Sequence, residues 1–223
     1  MKHLIAAFTL MSLIPAASAD SISEAVEKFQ DLESSWPIAQ FLVLDARNLA
    51  VDPIENRILQ LASKHDEASV HTKLDLANIL NKLGSAQIDS REEMNRFAGT
   101  HTDMIHTLCD LANEPMAKGN PDISYVLKLS VTRGRLDALL SEIERPELTT
   151  SGLLNLLAVF DGWYIRDRFM KEKIKASLQN VVQRYNDDGY IWKFRWGARV
   201  YSDAEQNAVI DAASKIRSKS LLK

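Results

Sequence analysis

The sequence predicts an all-α protein, built from antiparallel helix pairs in a bundle or an irregular solenoid, and three observations carry that expectation. The 223 residues include only 8 glycines and 6 prolines, too few for turn-rich all-β architectures. Apolar residues recur at helical spacing along much of the chain. Cap signals stand where those stretches begin and end. With 46% apolar residues, a folded chain of this length buries roughly 70% of its extended surface, which excludes disordered and low-complexity classes. The sole cysteine, Cys109, excludes a disulfide framework.

The chain opens on a secretory signature over 1–19. Lys2 supplies a positive start, Leu4 to Ile14 an apolar stretch, Pro15 a helix break, and Ala17-Ser18-Ala19 a small-residue cleavage site. The apolar stretch falls short of the about 20 residues that span a bilayer, and Asp20-Ser21-Ile22-Ser23 follows it at once. The expectation is a signal peptide over 1–19, then one helical domain over 20–223, exported and soluble in the periplasm or outside the cell, with no transmembrane segment.

Helix starts follow in order. Ser21-x-x-Glu24, Ser90-x-x-Glu93 and Ser202-x-x-Glu205 read as capping boxes, in which a hydroxyl satisfies one orphan amide and a carboxylate another. Asp52-Pro53-Ile54-Glu55 reads as a start with Asp52 as cap and proline at the first helical position, and Asn120-Pro121 as another. Asp66, after His65, reads as a further cap. Gly84, Gly119 and Gly189 read as left-handed stops, and Arg145-Pro146 ends the segment before it.

Between these signals two stripes are clearest. Met94, Phe97, Ala98, His101, Ile105, Leu108, Cys109 and Ala112 form one apolar helix face; Trp163, Met170, Ile174, Leu178, Val181 and Tyr185 form another, with Arg168, Lys171 and Lys175 displaced from it. Only 189–200 departs, since Tyr190, Trp192, Phe194 and Trp196 alternate with other residues in a two-residue rhythm that predicts a short strand or extended arm. Asp75-Leu76-Ala77-Asn78 recurs as Asp110-Leu111-Ala112-Asn113, 35 positions on, a spacing within the range of helical-hairpin repeats.

Charge is uneven. Residues 20–165 carry 13 basic and 23 acidic side chains, and 166–223 carry 13 basic and 7 acidic. After export, the expected counterparts of the basic part are acidic protein faces, anionic headgroups or cell-wall polymers rather than nucleic acid.

Candidate chemistry is sparse. His101, Asp103, His106, Cys109 and Asp110 crowd into ten residues of types that ligate zinc. On a regular helix His101 and His106 lie about 140° apart, so only Asp103, His106 and Asp110 share a face, as weak candidates for a cation. His101 and Cys109 belong to the apolar stripe and read as a buried histidine beside an inert thiol. The His65-Asp66 doublet lacks the second upstream histidine of a metal-dependent phosphohydrolase, the only one being His3 in the leader. Phosphate-cradling loops need clustered glycines, and no two here are closer than Gly189 and Gly197. There is no Gly-x-Ser-x-Gly elbow and no His-Glu-x-x-His pair. Hydrolysis by paired carboxylates needs no local motif and stays open.

The segment Tyr185 to Tyr201 stands out because aromatic and cationic side chains interleave. Tyr190, Trp192, Lys193, Arg195, Trp196 and Arg199 are the candidate partner-binding residues, since Trp, Tyr and Arg dominate interface hot spots. The functional expectation is an exported helical protein that binds a protein partner in the cell envelope, as an inhibitor, immunity-type factor, adaptor or chaperone, with no cofactor and no catalytic residue assigned. The alternatives are a cell-envelope enzyme, metal-dependent or with paired carboxylates, and a carrier of lipid or another small ligand.

Overall fold

A pair of serines bonding to each other sets the first helix. The computed structural model describes residues 18–86, 102–130, 135–161, 167–187 and 203–221, and all regular structure among them is helical. Helix α1 (Ala19–Lys28) is capped by Ser18: its hydroxyl accepts the Ser21 amide at 3.2 Å, and the Ser21 hydroxyl accepts the Ser18 amide at 2.9 Å. Ser21 is therefore the third helical residue and not the cap expected of it, and Glu24 pairs with Lys28 one turn on.

Helix α2 (Trp36–Phe41) passes through a π turn (Leu42–Ala46) and a 3-10 turn (Arg47–Ala50) into α3 (Val51–Gln60). Arg47, at φ +49°, breaks the path between those two turns, and the helical run that leads into α3 corrects the start expected at Asp52. Ala50 precedes the helix in right-handed helical backbone, so no extended residue is left for Asp52 to be. Its charge still lies in the first turn, where it suits the helix dipole.

Asp66 does cap α4 (Glu67–Ala86), accepting the Ser69 amide at 3.0 Å. That bond favours the ionised form and holds the Asp66 carboxyl below the usual carboxylate range. The helix runs on through Gly84 instead of stopping there. Leu83 and Gly84 are buried, and packing of that order outweighs the roughly 1 kcal/mol that a glycine costs inside a helix.

By its internal contacts the chain divides into two compact units at Thr107/Leu108. In the first, Ile22, Val26 and Phe29 meet Phe41, Leu42, Ile54 and Ile58 from α2 to α3, with Leu76, Ile79, Leu80 and Leu83 from α4, all buried. Two polar ties fix the loop after α1 to α4: the Thr72 hydroxyl donates to the Gln30 carbonyl at 2.6 Å, and the Leu32 amide donates to Asp75 at 2.8 Å.

The second unit begins within α5 (Thr102–Asn113), followed by a 3-10 turn (Pro115–Ala117) and then Gly119, whose φ of +73° is the left-handed turn expected of it. Helix α6 (Pro121–Ser130) starts as expected, with proline first and Asn120 Oδ1 accepting the Asp122 amide at 2.8 Å. Helix α7 (Leu136–Ile143) ends shortly before Arg145-Pro146. Helix α8 (Thr150–Leu157) is capped by Thr149, whose hydroxyl accepts the Gly152 amide at 2.9 Å, and a 3-10 turn (Ala158–Phe160) closes it. Helices α9 (Arg168–Asp187) and α10 (Asp203–Leu221) pack on each other, α9 against α7 and α10 against α8. Along α9 the expected stripe is buried at Ile174, Leu178, Val181 and Tyr185.

The two Asp-Leu-Ala-Asn copies take different settings. Asp75 lies in the interior of α4, whereas Asp110 to Asn113 end α5. The glycines that follow differ as well, Gly84 being helical and Gly119 left-handed. Residues 1–17 of the leader expected over 1–19, Ser90-x-x-Glu93, Ser202, Gly189 and the strand expected over 189–200 lie outside the described residues. No described helix is long and apolar enough to cross a membrane.

Candidate binding groove

One asparagine organises the second unit. Asn155, in the middle of α8, is 6% exposed. Its Nδ2 donates to the carbonyls of Ala112, at 3.1 Å, and Ala117, at 2.9 Å, and its Oδ1 accepts the Gly119 amide at 3.2 Å. Its own carbonyl accepts the Ser124 hydroxyl at 2.8 Å. A single side chain thus satisfies the end of α5, the 3-10 turn and the left-handed corner, where regular helix bonds are missing. Asn113 does the same one turn earlier, accepting the Thr149 amide at 2.5 Å and donating to the Glu147 carbonyl at 3.3 Å. Gly152 permits this approach, because a Cβ there would stand 2.6 Å from Asn113 Oδ1 and 3.0 Å from its Cα.

These bonds set a register in which α6 and α8 run in the same direction. Gly119 and Ser124 reach Asn155, and the Lys128 ammonium reaches the Asp161 carbonyl at 3.3 Å. The parallel pair walls a groove of about 720 Å³. From α6 come Pro121, Ser124, Tyr125 and Lys128, one helix face at steps of three and four; from α8 come Thr150, Ser151, Leu154 and Asn155, continued by Ala158 and Asp161. Lys118, Gly119 and Asn120 line it ahead of α6, abreast of Asn155, and Ala204, Glu205 and Ala208 of α10 add the remaining wall. The volume is that of a site that encloses a small molecule or a few residues of peptide. Thr150 is buried to the same extent as Asn155, and its Oγ1 has no hydrogen-bond partner among the described residues.

Behind the groove an ion cluster holds α5 to the α7–α8 link. Arg145 bonds Glu142 at 2.6 Å and Asp110 at 2.8 Å, with Glu147 at 3.8 Å. Burial works against the guanidinium's charge, but those two bonds outweigh it and raise its pKa further above its ordinary value. Cys109, on the same helix, is fully buried. Burial pushes its thiol well up, with Glu142 and Asp110 adding to the effect and Arg145 opposing it, so it is inert as a nucleophile or ligand.

The metal face expected of α5 is not assembled. Asp103 and His106 are exposed, Asp110 is held by Arg145, and among the described residues no group of three His, Cys, Asp or Glu side chains is placed to hold an ion. His101 lies outside the described residues, as do the candidate partner-binding residues Tyr190, Trp192, Lys193, Arg195, Trp196 and Arg199. The groove residues escaped sequence reading because their face mixes types: Pro121, Ser124, Tyr125 and Lys128 keep helical spacing but alternate polar and apolar, which is how a solvated helix face also reads. Asn120-Pro121 marked where the wall begins, and nothing local marked its partner at Thr150. Comparison of the chain with protein-family models, with curated protein sequences and with solved structures finds no match.

Proposed function

We propose that this chain is an exported helical binding protein that holds a segment of a partner protein in the groove between α6 and α8. The leader-like start over 1–19 supports export, and the pre-formed groove is the observation that carries the binding role. Its floor is fixed by the Asn155 bonds before any ligand arrives, so little ordering cost falls on binding. Tyr125, Leu154 and Ala158 offer apolar surface, while Lys118, Lys128, Asp161 and Glu205 supply charge of both signs. An apolar centre with a polar border is the make-up of a protein-recognition surface.

The test is site-directed photo-crosslinking in the native envelope. Benzoylphenylalanine in place of Ser151, in the groove wall, should capture one protein in high yield; the same group in place of Gln179, exposed on α9, should not. Equal capture from both positions, or none from Ser151, would overturn the reading. A small molecule or metal recovered in place of a protein would favour the carrier or the enzyme.

A further inference from the structure

We infer that the segment held in the groove is an amphipathic helix of the partner, with its apolar stripe on α8 and an acidic flank along α6. This rests on the binding role proposed above and adds the form and charge of what is bound. Helix α8 packs on both α6 and α10, and all three line the groove, so α8 is the middle of its three sides. Along α8 the lining residues Ser151, Leu154 and Ala158 follow at steps of three and four, and Ala158 is exposed. They cover about 10 Å, or two helical turns, and keep the spacing with which one helix meets another. On the α10 side Ala204 and Ala208, four apart and both exposed, carry only a methyl group each, so a further backbone can come close there.

Backbone chemistry selects a helix over an extended segment. All three sides are helices, whose interior amides and carbonyls are spent within their own turns, and the described residues offer no strand edge to which a peptide could add. The buried Ser124 and Asn155 side chains are committed as well, Ser124 to the Asn155 carbonyl and Asn155 to Ala112, Ala117 and Gly119. An extended segment would press its own amides and carbonyls onto Tyr125, Leu154 and Ala158 and leave them unbonded. A helix bonds them internally and brings only side chains to the surface.

Charge narrows the choice of helix. Lys118, just ahead of α6, and Lys128, in its last turn, both line the α6 side, whereas Asp161 and Glu205 line the α8 and α10 sides. The groove therefore changes sign across its width, and an occupant matches it with Glu or Asp along the flank that faces α6 and with Lys or Arg along the other. Facing helices choose their partners by flanking charges in the same way.

Binding of the full chain is measured by fluorescence polarisation with fluorescein-labelled peptide pools of equal length and composition. In the helical pool apolar residues (Ala, Leu, Ile, Met or Phe) recur at i, i+3, i+4 and i+7, with Glu along one flank and Lys along the other; in the extended pool the same residues alternate. The helical pool should bind at least about tenfold tighter. Its affinity should fall by about tenfold or more in Ala158→Arg, which fills the groove, and severalfold in Lys118→Glu. A helical pool with Lys in place of Glu should bind Lys118→Glu more tightly than it binds the native chain. Both positions are exposed, so both variants should keep the native urea midpoint, and loss of binding there cannot be laid to unfolding. Equal or tighter binding of the extended pool would overturn the helical form, as would no binding by any pool. Unchanged affinity of the helical pool in Lys118→Glu would overturn the acidic flank. Self-association of the native chain that is lost in Ala158→Arg, read by sedimentation velocity, would assign the groove to a second copy of the chain and overturn the inference as well. Capture of a protein at Ser151 together with preference for the extended pool would sink this inference alone, whereas no capture at Ser151 would sink the binding role itself.

Discussion

Replacing Asn155 with alanine tests whether one side chain holds the groove wall together. The substitution removes three hydrogen bonds, to the Ala112 and Ala117 carbonyls and from the Gly119 amide. Their costs are unequal. Gly119 is exposed and water replaces its lost partner, and the Ala117 carbonyl keeps the Asn120 amide at 3.0 Å, so its second bond is worth about 0.5–1 kcal/mol; the fully buried Ala112 loses its side-chain donor, at about 1–2 kcal/mol. Alanine is the better helix former by about 0.5 kcal/mol, which leaves a net loss of about 1–2.5 kcal/mol. For a unit of this size that lowers the melting temperature by about 4–10 °C. Circular dichroism through a urea titration should show the midpoint falling with an unchanged slope, since the surface exposed on unfolding stays the same. Asn155→Asp separates hydrogen bonding from shape: it keeps an acceptor for the Gly119 amide but offers the two carbonyls no amide donor, and it should lose at least as much at neutral pH. A loss below about 0.5 kcal/mol in both variants would refute the network as the source of stability, because that is the scale of an ordinary surface substitution.

Two further outcomes follow from the same packing. Gly152→Ala should destabilise the protein by about 1–3 kcal/mol even though alanine gains about 1 kcal/mol in helix propensity, because its Cβ would displace Asn113 from the Thr149 amide; a raised urea midpoint would show that Asn113 gives way freely. Cys109 should react with a thiol reagent only as the protein opens, releasing one equivalent in denaturant and almost none in native buffer. Rapid stoichiometric reaction of the native chain would contradict its burial.

Much of the helical layout was legible locally, and the exceptions have physical causes. Asp66 and Asn120 are caps because an Asp or Asn side chain just ahead of a helix bonds amides within a few residues, an interaction that needs no tertiary context. The left-handed Gly119 belongs to the same class. The starts expected at Ser21 and Asp52 were displaced because residues upstream had already taken the role: the extended Ser18 closed a capping pair with Ser21, and Ala50 and Val51 are already in right-handed helical backbone ahead of Asp52. Gly84 stayed helical because it and Leu83 are buried in the first unit.

The class of the fold and the inward-facing sides of its helices were readable along the chain, since both depend on the spacing of apolar residues and on contacts within one turn. So was the lack of any cluster of glycines that could cradle a phosphate. That α6 and α8 lie parallel, that Thr150 and Tyr125 line one groove, and that Asp110 pairs with Arg145 are set only once the chain is folded. Those outcomes depend on Asn113, Asn155 and Arg145 reaching partners more than 30 positions away. A polar residue in a sequence carries its donors and acceptors but not the direction in which they are used.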